Sequence, residues 1–149
     1  MKIGIAADHK GYVLKQLLTS TLVSEGHKLT DYGAFYLDER DDCGDYIIPL
    51  AQALQRKELD RGLVLIGNGS GGVVIANKIK GVRAAIIHDH FHAHRAVEEN
   101  DINLICIEAD KTNFLTAKEL TELFLEAKFE GEEINARRLM KVMALERIR

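Results

Sequence analysis

Short, wholly apolar runs alternate along the chain with longer segments whose apolar residues recur every three or four positions. The first run, Ile3 to Ala7, predicts a buried strand that ends at Asp8-His9-Lys10-Gly11. Val13, Leu14, Leu17, Leu18 and Leu22 then fall on one helical face, and Gly26 supplies the stop. Lys28 to Tyr32 predicts a second strand, and residues 33–44 form a polar loop carrying Glu39, Arg40, Asp41, Asp42 and Cys43. Asp45 is placed to cap a helix over Tyr46 to Arg56, with Pro49 in its first turn, where N–H groups lack partners in any case. Leu63 to Ile66 predicts a third strand, followed by a glycine-rich turn and a short helix that Lys80-Gly81 ends. Arg83 to Ile87 and Asn103 to Ile107 predict strands four and five, separated by a helix that His88 to His94 leads into and that runs through Glu98. Asn113 caps a helix over Phe114 to Lys128, ended near Gly131, and a last helix over Glu133 to Arg147 carries Leu139, Val142, Met143 and Leu145 on one side.

Strands alternating five times with helices over short loops imply right-handed crossovers and a parallel sheet covered on both faces, an α/β architecture. No internal repeat or linker interrupts residues 1–149, which are expected to form one domain. Ligands of such sheets bind beyond the carboxyl ends of the strands, where the strand order switches. That edge is expected to gather Asp8 and His9, residues 39–43, the glycine turn, His88 to His90 and the end of strand five, with Glu98 to Asp101 within reach. The last helix has no further strand to cover and is expected to pack on a second copy of the chain, as a homodimer or a dimer of dimers.

Composition narrows the function classes. A net charge of −3 with both signs mixed and no basic block argues against nucleic-acid binding. No apolar run has the length of a membrane span, and with the first strand starting directly after Met1-Lys2 no signal peptide is expected. Cys43 and Cys106 form neither a metal spacing nor a disulfide framework, so a reducing, cytoplasmic setting is expected.

The densest chemical signal is Gly67-Asn68-Gly69-Ser70-Gly71-Gly72, four glycines in six residues at a strand-to-helix junction. Glycines there let backbone amides approach a ligand, so an anionic or oxygen-rich small molecule is expected at Asn68 to Gly72. Gly67-x-Gly69-x-x-Gly72 fits the dinucleotide fingerprint but follows the third strand, not the first, and opens too short a helix. A serine nucleophile elbow would need glycine where Asn68 stands. Asp8 and His9 follow a buried strand, where His9 can move a proton or bond a hydroxyl. Glu99 and Asn100 precede strand five and Cys43 lies in the polar loop; both places suit a site role. The alternating His88, His90, His92 and His94 are assigned to lining or structure, because only His90 and His94 share a helical face. No metal and no cofactor is expected.

The chain resembles the ribose-5-phosphate isomerase B and galactose-6-phosphate isomerase family over its whole length. The resemblance lies in Ile5-x-x-Asp8-His9-x-Gly11, Asp38-Glu39-Arg40, Gly67-x-Gly69-x-Gly71, Ala76-Asn77-Lys78, Gly81-x-Arg83-Ala84, Asn100-Asp101-x-Asn103 and Phe129-Glu130-Gly131. It implies a Rossmann-like three-layer αβα sandwich with a five-stranded parallel sheet, and dimers that bring the last helix to the partner's site. It implies aldose–ketose isomerisation of a sugar or sugar phosphate by ring opening and enediolate proton transfer. The implied contacts are Asp8, His9, Gly67, Asn68, Gly69, Ser70, Gly71, Gly72, Asn100 and Arg137. Where the family carries a cysteine base this chain has Ile66, and where other members carry a glutamate it has Gly72. Glu99 replaces the ring-opening histidine, and Asp110 and Glu133 stand in place of phosphate-binding arginines. An isomerase with a relocated base therefore draws its proton carriers from Cys43, Glu99 and His9. The alternatives are a catalytically impaired subunit and a sugar-binding module of the same fold.

Overall fold

The computed structural model describes residues 1–148 and contains five strands and six helices in strict alternation after β1 until the last helix. The strands are β1 (Lys2–Ala7), β2 (Lys28–Asp31), β3 (Arg61–Ile66), β4 (Ala84–Ile86) and β5 (Leu104–Glu108). The helices are α1 (Tyr12–Ser24), α2 (Gly44–Gln55), α3 (Ser70–Ala76), α4 (His90–Asn100), α5 (Phe114–Glu126) and α6 (Glu133–Arg147). All pairings are parallel, in the order β2-β1-β3-β5-β4.

The continuous apolar runs mark strands buried on both faces, and the sheet is covered accordingly. Leu14, Leu18 and Leu22 of α1, Ala93 and Val97 of α4, and Leu120 and Phe124 of α5 pack against Ile3, Ile5, Leu63, Leu65, Ile105 and Ile107. On the opposite face, Ile47, Leu50 and Leu54 of α2 and Ala76 of α3 pack against Ala6, Val64, Ile66, Leu104 and Cys106. Burial of each Val, Leu, Ile or Phe side chain among them stabilises the fold by about 1.5–3 kcal/mol.

Several boundaries shift from the sequence reading, two of them with consequences. α2 starts at Gly44, and Asp45 lies within its first turn without a side-chain cap. Pro49 consequently falls in the second turn, on an exposed side where water can satisfy the carbonyl it leaves free. β4 shortens to three residues because it has a single neighbour, β5. Asn113 caps α5 as expected, accepting from the Thr116 amide, and Asp89 caps α4 by accepting from the His92 amide.

α6 lies against the end of α4 and leaves Ile134, Met140, Val142, Met143 and Leu145 exposed. No helix among the described residues is long and apolar enough to cross a membrane.

Candidate active site

Strand order reverses between β1 and its neighbour β3, and the helices that follow them leave on opposite faces of the sheet. The two loops part there and open a crevice at the carboxyl edge. Asp8, the first residue past β1, ties the loops together. Its Oδ1 accepts from the Gly11 amide at 3.0 Å, and its Oδ2 accepts from the Gly67 amide at 3.2 Å. The Asp8 amide itself donates to the Leu65 carbonyl at 3.3 Å.

The glycine loop favours glycine at 69 through its backbone and at 67 through the side chains that cross it. Gly69 has φ 75°, the left-handed region that costs other residues about 1 kcal/mol or more. At Gly67 a Cβ would stand 2.7 Å from Lys10 Cδ and 3.2 Å from Asp110 Oδ2, whose ion pair with Lys10 (2.7 Å) lies across it. The Ser70 hydroxyl donates to Asn68 Oδ1 at 3.1 Å, and the Ser70 amide donates to the Asn68 carbonyl at 2.9 Å. Asn68, Ser70 and Gly71 are exposed at the mouth of the crevice, and the Gly71 amide finds no acceptor among the described residues.

His9 points its Nδ1 at Asp41 Oδ1, 2.7 Å away. The Asp41 side chain is only 2% exposed and that of His9 28%. The pairing calls for a proton on Nδ1 and leaves Nε2 for the crevice. The hydrogen bond that His9 donates to Asp41, with the charges of Asp41 and Asp8, holds the His9 pKa above its ordinary value against the opposing effects of desolvation and Lys10. Folding therefore tightens proton binding. The stabilisation is complete below the unfolded pKa of about 6.5 and is lost as pH rises through the folded value. Titration of the His9 ring by NMR is expected to give that raised pKa. Asp41→Asn is expected to return it toward the ordinary value and to flatten the loss of stability above about pH 6.5; an unmoved His9 titration refutes the pairing.

Cys43 opens α2 beside the same acids. Burial, then the charges of Asp42, Asp8 and Asp41, push its thiol pKa up, which disfavours the nucleophilic or basic thiolate. Ile66 is buried among aliphatic neighbours, and a Cβ at Gly72 would stand 2.5 Å from Ile66 Cδ1 and 3.1 Å from Ile47 Cδ1. Both places are filled by packing.

Glu99 and Asn100 lie elsewhere, against the expectation of the carboxyl edge. They end α4, and the chain turns from them into the amino end of β5, where the Asn103 carbonyl accepts from Gly62 at the start of β3. The four-residue span from Leu104 to Glu108 alone puts about 13 Å between the two edges. A helix that descends antiparallel to the strands must end at their amino side. Glu99 pairs with Arg95, and with Asn100, Arg83, Arg138, Leu139 and Val142 it lines a recess of about 220 Å³ facing α6. Arg137 is exposed on α6. Within one chain, then, Asp8, His9, Gly67 to Gly72 and Cys43 come together, whereas Glu99, Asn100 and Arg137 do not join them.

The histidine series disperses onto four carboxylates. His88 meets Glu108, His90 meets Glu119, His92 meets Asp89 and His94 meets Glu98. Two pattern residues prove structural: Asn77 exchanges hydrogen bonds with Ala84, and Asn103 receives the Arg83 amide. Sequence reading placed residues 39–43 and the end of strand five on the carboxyl edge without singling out Asp41 or Glu108. Asp41 was one acid among several in a loop, and nothing in its spacing marks it as the partner of His9. Glu108 did leave a signal, a lone carboxylate at the end of a central apolar run.

The family described as Ribose/Galactose Isomerase matches residues 3–142 of this chain. The chain is similar to the probable ribose-5-phosphate isomerase B of Mycoplasma pneumoniae, 35% identical over 97% of this chain and 95% of that one. It is also 35% identical to the D-erythrulose-4-phosphate isomerase of Pectobacterium atrosepticum, over 88% of this chain and 86% of the relative. Among solved structures, ribose-5-phosphate isomerase B from Mycoplasma genitalium with bound ribulose-5-phosphate superposes with a TM-score of 0.92 at 30% identity, covering 98% and 96% of the two chains.

Proposed function

The chain belongs to the Ribose/Galactose Isomerase family, and from that premise we propose that it interconverts a four- or five-carbon aldose phosphate and its ketose, in a homodimer whose sites draw on both copies. The observation that carries this reading is the joining of Asp8 to the glycine loop at the β1/β3 crevice. Asp8 and the loop amides suit the hydroxyls of an open sugar chain, and amides aimed at O1 stabilise an enediolate as its charge develops. His9 is a proton donor through Nε2, suited to the ring oxygen or to O1. The names of the relatives support the sugar-phosphate class and its size.

The dimer takes its support from what one chain leaves unfinished. The apolar side of α6 is exposed, and Glu99, Asn100 and Arg137 lie away from the crevice. A second copy presenting that surface supplies an amide side chain to the sugar and a guanidinium to the phosphate. The second reading, an impaired subunit or a sugar-binding module, takes its support from the aliphatic filling of positions 66 and 72.

Deuterium uptake from solvent at C2, followed by NMR across tetrose, pentose and hexose phosphates and the free sugars, tests the proposal. Uptake is expected with a four- or five-carbon phosphate. Binding without uptake from any of them overturns isomerisation in favour of the binding module. Sedimentation that finds only monomer overturns the shared site.

A further inference from the structure

The strand that ends beneath the glycine loop carries a carboxylate to which no role has yet been given. Glu108 closes β5 and is the register partner of Ile66 at the end of β3. Register partners in a parallel sheet project to the same face, and Glu108 lies two residues beyond Cys106, which shares the Ile66 face. Its side chain is 8% exposed. A Cβ at Gly69, the residue held at φ 75°, would meet Glu108 Cγ at 3.2 Å. His88 Nδ1 lies 3.1 Å from one carboxylate oxygen and Lys111 Nζ 3.5 Å from the other, orienting the group from above. A nearly buried carboxylate thus lies directly under the amide-rich loop, one strand away from a side chain that cannot carry a proton.

We propose that Glu108 is the catalytic base of the isomerisation, which rests on the functional reading above. Its carboxylate takes the proton from C2 of the open aldose. The C2–H electron pair becomes the C1=C2 bond, and the aldehyde π pair moves to O1, which the loop amides and the His9 donor receive. Protonated Glu108 then returns its proton to C1 as the O2–H proton is lost and the C2 carbonyl forms. One proton is carried from C2 to C1 and one is exchanged from O2 to O1, with no external oxidant or reductant.

The other candidates fit this step less well. The Cys43 thiol is held protonated by burial and neighbouring acids. Nδ1 of His9 is committed to Asp41, which favours the charged, donating ring. Glu99, which the second copy would bring together with Asn100, has its carboxylate paired with Arg95.

The test uses the full chain and the sugar phosphate with the fastest C2 exchange. Glu108→Gln is expected to lower kcat by about 100-fold or more while KM changes less than threefold, since the carboxylate acts on the proton and not on binding. Glu108→Ala is expected to recover part of kcat on addition of formate, and a merely structural carboxylate would not be replaced in that way. Glu108→Gln with kcat within threefold of the wild type overturns the proposal. So does a loss in Glu108→Ala that formate leaves untouched, whether or not Glu108→Gln folds. If the wild-type chain exchanges no sugar phosphate, the functional reading falls first and this assignment with it.

Discussion

Lys15→Ala is expected to cost about 3–5 kcal/mol of stability, the upper part of the range for truncating a long buried side chain, because the ion pair with Asp31, itself 32% exposed, is lost with it. Lys15 is fully buried on α1, and its three ammonium protons match three acceptors: Asp31 Oδ1 and Oδ2 at 2.8 Å each, and the Ala34 carbonyl at 2.6 Å. The rings of Tyr12 and Phe35 stand 5.7 and 5.8 Å from the same nitrogen. Alanine removes the stem, leaves a cavity and strands the Asp31 carboxylate. For a chain of this size the loss corresponds to a fall in Tm of about 10 °C. Lys15→Met keeps most of the volume and is expected to lose less than alanine but still more than about 1 kcal/mol. Adding Asp31→Asn to Lys15→Met should recover part of that. A denaturant midpoint for Lys15→Ala that translates to under 1 kcal/mol would refute this account. The site should register the change as well, because Lys15 holds the segment that brings Asp41 to His9.

Gly11→Ala comes next in expected effect, by a different route. The backbone of Gly11 (φ −85°, ψ −8°) suits any residue, so the cost is steric alone. An added Cβ would stand 1.9 Å from the Leu65 carbonyl oxygen and 2.4 Å from its carbon. Those atoms belong to the central strand β3, paired on both sides, and cannot yield. α1 must lift instead, which strains the Asp8 bonds to Gly11 and Gly67 together. A loss of about 3 kcal/mol or more, at or above the top of the usual overpacking range, is expected in a thermal or denaturant melt. Gly71→Ala serves as the control, since nothing lies within 4 Å of its Cβ and its φ is not left-handed. It should leave stability unchanged or slightly raised. Equal melts for the two variants would disprove the steric reading.

The apolar runs and the three-and-four spacing gave the order of elements because burial on both sheet faces leaves that mark on the residues themselves. The glycine loop and Asp8 were readable for a related reason: a turn hard against a strand end needs particular residue types. The edge on which a residue falls was legible where it lies between the end of a strand and the next helix. Asp8 follows β1, whereas Asn100 ends a helix running the other way, and its place at the amino edge follows from topology, not from its neighbours in sequence. The His9–Asp41 pairing joins residues 32 apart through a loop whose path is set by Lys15 and by backbone bonds from Ala7 and Ala34. No local pattern encodes such a path. Glu108 needed the register with Ile66 before its place under the loop could be seen.

The contact between Ile66 and Gly72 also constrains the history open to this chain. With only 2.5 Å between Ile66 Cδ1 and a Cβ at position 72, a side chain there requires the end of Ile66 to turn aside or a smaller residue at 66. The two sites are therefore coupled, whereas a thiol at 66 is compatible with glycine still at 72. Packing behind the loop thus biases which proton carriers later variants can acquire.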